Sequence, residues 1–308
     1  MRRGDFAAAW ASSDAALARR QPGDFLRADQ PRHLQCVWDG RPLAGKRVLV
    51  HCYHGLGDTL QFVRLLPLLR QQASEVVLWA QPALHGLLRG LPGIDRLEAL
   101  HDGAPAIDRD ADIEVMELPH LLRLSPWHIP ARVPYLAVPP RPRAPRRAGW
   151  PRVGLAWQSG DWDAARSIPP AALQPLARGL PLRWASVQYG ADALPFPMED
   201  LACRDLVQQA ERLLALDLVV TVDTLTAHLA GALGLPVWTL LPTPCDWRWM
   251  EARRDTPWYP TMRLFRQQRA GDWDGVVAEL REALLQWAAR RALRTSGSAA
   301  APGRAAAG

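Results

Sequence analysis

One rhythm runs through this chain twice: a short apolar run, a turn, then a segment with helical apolar spacing. In the first pass, residues 47–52 read as a buried strand, His54–Gly57 as a tight turn and 58–70 as a helix. Strands at 75–80, 95–100 and 112–117 follow, with a helix after Pro82. The second pass has strands at 152–157, 183–188, 216–223, 236–242 and 262–267. Its helices begin after Pro169-Pro170, run over 223–234 up to Gly234, and close the pattern over 272–291. Strands that alternate with helices are buried on both faces and pair in parallel, so the expected class is α/β. Between the passes, VPPRPRAPRRAGWPR suits neither a helix nor a strand interior and reads as a semi-rigid linker. The resulting division is an N-terminal helix in 1–30, one domain over 31–140, a linker at 141–151, a second domain over 152–292 and a disordered tail at 293–308.

A length of 308 residues fits two such domains. The formal charge is +6, yet eleven arginines fall in three acid-free runs, Arg2–Arg3, Arg141–Arg152 and Arg290–Arg304, leaving 26 cations against 31 acids elsewhere. Nucleic acid is therefore not an expected partner, because phosphate recognition needs a positive face on the folded body. The same arginine clusters could meet an anionic membrane surface. No apolar run reaches membrane-spanning length, and the start lacks the apolar core of a secretory signal. Cys36, Cys52, Cys203 and Cys245 stand far apart, as expected of reduced thiols in the cytoplasm.

In open parallel sheets, ligands sit beyond the carboxyl ends of strands, where helix N-termini point free amides outward. Three turns in these positions carry polar residues. His54-Gly-Leu-Gly-Asp58 allows close backbone approach at Gly55 and Gly57, and Asp58 suits either a helix cap or a general base. Trp157-Gln-Ser159-Gly-Asp161-Trp-Asp163-Ala-Ala-Arg166 offers Ser159 and a phosphate-binding arginine. Asp223-Thr224 stands where a strand becomes a helix, with His228 one turn on. Asp161-Trp-Asp163 looks like a metal-binding DxD, but Asp272-Trp-Asp274 repeats the spacing before a structural helix, so no metal site is assigned. His51 and Cys52 point to opposite faces of a strand and do not form one with His54. Gly40 to Arg47 mimics a phosphate-binding loop but precedes a strand and lacks the Ser or Thr for magnesium. The stretch from Asp246 to Tyr259 is dense in tryptophan and reads equally as a stacking surface or a packed loop at the hinge.

GLGDTLQFVRLLPLL, followed by LVVTVDTLTAHLAGALGLPVWTLLP, resembles glycosyltransferase family 9, the ADP-heptose:lipopolysaccharide heptosyltransferases. The ending over 246–267 and the short N-terminal helix are similar to the bacterial branch joined to tetratricopeptide repeats. The resemblance covers roughly residues 35–290. It implies a GT-B-like fold, two Rossmann-like domains facing a cleft, with no metal and no cofactor beyond a nucleotide-diphosphate sugar co-substrate. Asp58 would be the base toward an acceptor hydroxyl, on a cell-envelope glycan or lipid-linked acceptor. The donor would meet Ser159, Arg166, Asp223, Thr224 and His228, with Gln188 near the ribose or base. Two positions depart from the family pattern: Leu225 replaces a glycine, and Arg166 replaces a lysine. The expected function is inverting glycosyl transfer. A non-catalytic interaction module and a sugar-nucleotide epimerase on the same fold are the alternatives.

Overall fold

The computed structural model describes residues 1–138, 149–160 and 163–298, so most of the expected linker, Asp161 and the last ten residues lie outside it. Within the described residues, every strand pairing is parallel. β1 (Arg47–His51), β2 (Glu75–Ala80), β3 (Arg96–Ala99) and β4 (Ala111–Glu114) form one sheet in the order β3-β2-β1-β4. β5 (Arg152–Ala156), β6 (Arg183–Ser186), β7 (Glu199–Asp200), β8 (Leu218–Val222), β9 (Val237–Leu241) and β10 (Met262–Arg266) form the other, in the order β10-β9-β8-β5-β6-β7. β1, β2, β8 and β9 are buried along nearly their whole length, which is why they appear in the sequence as unbroken apolar runs.

The helices are α1 (Phe6–Leu17), α2 (Leu56–Phe62), α3 (Leu66–Arg70), α4 (His85–Leu88), α5 (Leu118–Leu121), α6 (Leu206–Leu214), α7 (Leu225–Ala232) and α8 (Trp273–Ser298). The single helix expected over 58–70 is thus divided into α2, a 3-10 turn and α3. Pro67 accounts for the break: it has no N–H to give residue 63, and its ring crowds that carbonyl. The helix expected after Pro170 is a 3-10 segment, Pro170–Leu176, with Pro175 inside it. α8 continues to Ser298, past the point where disorder was expected, as the extension of a helix anchored by Val276, Leu280 and Leu284.

The two sheets do not stand apart. A continuous apolar core takes Leu60 and Phe62 from α2 together with Ala227 and Leu229 from α7, and adds Trp249, Trp258 and Tyr259. The aromatic stretch is therefore a packed joint: Phe62 stacks on Trp247 at 6.3 Å and meets Trp258 edge-on at 5.5 Å. Arg64 threads the same joint, with its guanidinium 4.2 Å from the Tyr135 ring centre and 4.4 Å from that of Tyr259. α1 also belongs to this core. Phe6 and Trp10 are buried, the Trp10 indole donates to the Leu124 carbonyl at 2.6 Å, and Phe6 lies 6.1 Å from Trp247. No helix among the described residues is long and apolar enough to cross a membrane.

Candidate active site

The site grows from two helix starts brought face to face. α2 begins after Gly55, so Asp58 is its third residue rather than the residue that opens it. From there one carboxylate oxygen, Oδ2, reaches back to accept the Gly55 N–H at 3.0 Å. A carboxylate in the first turn also meets the positive end of the helix dipole. α7 begins after Thr224, whose extended backbone makes no side-chain cap, and its first amides lack intrahelical partners as in any helix. Asp223 directly follows β8, the strand beneath it, and is buried.

Gly57 lets the two starts meet. A Cβ on Gly57 would stand 2.8 Å from His228 Cδ2 and 3.4 Å from the Leu225 Cα. Leu225, where the family pattern has glycine, therefore lies with its backbone directly beneath Gly57. His228 is buried, stacked on Trp249 at 5.5 Å, with Nδ1 3.0 Å from the Tyr259 hydroxyl and Nε2 3.8 Å from Asp223 Oδ1. Burial, aided by the Arg248 charge, pushes the imidazole down to about 3, so it is neutral at ordinary pH. Burial likewise pushes the Asp223 carboxyl up, against the pull of Arg248.

Arg248, which the sequence reading passed over, sits at the centre of these charges. It lies in the 3-10 turn Trp247–Trp249, capped by Asp246. Its Nη1 donates to Asp58 Oδ1 at 2.6 Å across the boundary between the halves, and its Nε is 3.0 Å from Asp246 Oδ1. Burial works to raise the Asp58 carboxyl, but Arg248 outweighs it and holds Asp58 below the usual carboxylate range. In the sequence this arginine is hidden between two tryptophans; an arginine in so apolar a setting was itself the signal, since it must find a carboxylate.

The remaining expected residues divide. Arg166 Nη1 donates to the Asp223 carbonyl at 3.1 Å, which brings it to the start of α7 beside Thr224. Ser159 is near, but its hydroxyl is engaged with the Asp163 carbonyl at 3.0 Å and its amide with Ser167 Oγ at 3.0 Å. Gln188 is further committed: Oε1 accepts the Trp157 and Gln158 amides at 3.0 and 2.8 Å, and Nε2 donates to the Tyr189 carbonyl at 3.2 Å. It ties the end of β5 to β6 and keeps one amide hydrogen for anything else. Gly55, Gly57, Asp58, Thr224, Thr226, Ser159 and Arg166 all keep part of their surface exposed. On the β4 side, His54 Nδ1 is 3.0 Å from Glu114, whose carboxylate also accepts the Tyr53 amide at 3.1 Å. Among the described residues, no group of three or more His, Cys, Asp or Glu is arranged to hold a metal ion.

No family model matches the chain. It is 26% identical over 294 aligned residues to Protein FlbA of Caulobacter vibrioides, an alignment that spans 82% of this chain and 48% of FlbA. The chain thus spans about half the length of that curated relative. Among solved structures, it is similar to the iron-containing dodecameric glycosyltransferase TibC of enterotoxigenic Escherichia coli: TM-score 0.53, 16% identity, 83% of this chain and 78% of TibC. The family 9 glycosyl transferase of Veillonella parvula gives a TM-score of 0.49 at 13% identity, over 80% of this chain and 99% of that one. The fold is α/β and GT-B-like, with two parallel sheets, and is similar to that of TibC.

Proposed function

We propose that this chain is an inverting glycosyltransferase using a nucleotide-diphosphate sugar, with ADP-heptose among the donors to be tried first. The acceptor is a cell-envelope glycan or a lipid-linked sugar. In the reaction, the acceptor oxygen attacks the anomeric carbon, the bond from that carbon to the diphosphate breaks, and Asp58 takes the acceptor proton. The nucleoside diphosphate leaves toward the first amides of α7, with Arg166 beside it. One observation supports this reading above others: an ionised carboxylate at the start of α2 lies against the start of α7, although 165 positions separate Asp58 from Asp223. The chemistry assigned to these residues needs no metal and no cofactor, so turnover should survive chelation by EDTA.

A second reading has its own support. Arg248 occupies Asp58, and His228 fills the space over Gly57, as would suit a GT-B-like body used only for interaction. Thermal-shift titration with ADP-, UDP- and GDP-sugars separates the two, because a ligand that binds the native state raises its stability. A shift with one of them, and product formed only when acceptor is added, supports transfer over both the module and the epimerase. With the donor in hand, Asp58→Asn is expected to lower turnover by about a hundredfold, as loss of a general base does. A loss below about tenfold removes Asp58 from the reaction.

A further inference from the structure

We propose that Arg248 is a two-position residue, bridged to Asp58 while the donor site is empty and turned onto the diphosphate when a donor binds, so that Asp58 is released only in the donor complex. The inference rests on the donor reading above and adds a residue and an order of events to it. Three observations lead to it. The Arg248 side chain is buried, yet its Nη1 partner comes from the opposite half of the molecule, 190 positions away in the chain. Its Nε lies 3.0 Å from Asp246 Oδ1 of its own turn, within ion-pair distance, so Nη1 can change partner while that second charge contact is kept. The third concerns charge around the joint between α2 and α7.

The groups facing Asp58 are Arg248, His54 and His228, and those facing Arg248 are Asp58, Asp246 and Asp223. His228 is neutral, Arg166 is turned to the Asp223 carbonyl and Arg64 is engaged with the Tyr135 and Tyr259 rings, so the buried cation in direct contact with Asp58 is Arg248. A diphosphate arriving at α7 adds negative charge beside Asp58. The repulsion is offset most directly when Arg248 exchanges the carboxylate for phosphate oxygens, which its planar fork fits. The exchange leaves Asp58 with the Gly55 amide and a free oxygen, and its basicity rises as the cation withdraws. Donor would then bind before acceptor, and the base would stay inactive without a donor.

Inorganic pyrophosphate serves as the probe, with the Asp58 carboxyl followed by carbon-13 NMR in the whole chain. Saturating pyrophosphate should raise the Asp58 midpoint by about one pH unit or more, the size expected when a paired cation leaves. Arg248→Met should start from the raised midpoint and bind pyrophosphate at least tenfold more weakly, whereas Arg248→Lys should keep part of the binding. If pyrophosphate binds the unaltered protein but leaves the Asp58 midpoint in place, or binds Arg248→Met as tightly, the two-position role is overturned and the donor reading stands. If neither pyrophosphate nor ADP, UDP or GDP binds the unaltered protein, both are overturned. Should Arg248→Met fail to fold, Arg248→Lys decides: pyrophosphate bound as tightly as by the unaltered protein overturns the two-position role.

Discussion

Glu117 shows how strongly position alone tunes a carboxyl in this chain. It accepts the Glu114 and Trp38 amides at 2.9 Å each, yet desolvation, with the like charge of Glu114 added, pushes it up to about 7. The folded protein therefore keeps a proton that the unfolded chain loses near 4.5. Stability is full below that value and falls as pH rises through 7, by about 3 kcal/mol if the whole shift is expressed. Glu117→Gln should flatten this slope in urea unfolding between pH 4.5 and 7.5; an unchanged slope would assign the dependence elsewhere. At Gly57 the effect is steric. Gly57→Ala forces a carbon to within 2.8 Å of His228 and should cost about 1–3 kcal/mol, read as a lower urea midpoint. Asp58, Asp223 and His228 were legible because each follows a strand at a glycine-rich turn or helix start. Arg248 was not, because its setting between two tryptophans shows that it needs a carboxylate but not which one, and the partner lies 190 positions away.

At the scale of elements, the longer strands were readable from composition, whereas the exposed two-residue β7 and the helix lengths were not. β8 and β9 are fully buried and announce themselves as LVVTV and VWTLL. α6 escaped notice because Leu206–Leu214 mixes Gln, Glu and Arg with its apolar face and is short; its signal was the cap, where Asp205 accepts the Gln208 amide at 2.9 Å. α1 was legible as a helix but not as part of the core, since its alanines hide how deeply two aromatic residues sink. Trp10→Ala should destabilise the protein by about 3 kcal/mol. Because Phe6 rests on Trp247, next to Arg248, removal of residues 1–19 should also disturb the Asp58 environment, visible as a shifted carboxyl resonance. An unperturbed resonance would make α1 a stabiliser without influence on the site.

For the whole molecule, the important fact is that two sheets share one core. Interfaces between domains that move freely are modest and polar, whereas this joint is lined by Phe62, Trp249, Trp258 and Tyr259. Unfolding followed by far-ultraviolet circular dichroism and by tryptophan fluorescence should therefore give one coincident transition. Two resolved transitions would show that the halves are stable separately. In the sequence only the tryptophan-dense stretch over 246–259 hints at this coupling, because the linker composition suggests independence and the rest of the packing is spread over distant segments.

The contact of Gly57 with His228 also bears on how such a chain can change over generations. Neither position is free to drift alone: a side chain at 57 needs a smaller or displaced residue at 228, and a bulkier residue at 228 needs the glycine. Among descendants of this protein, the two sites should therefore vary as a pair. A lineage that keeps glycine at 57 after losing the imidazole at 228 would have opened a hole between its halves, and the stability lost there would have to be recovered by later substitutions around Trp249 and Tyr259.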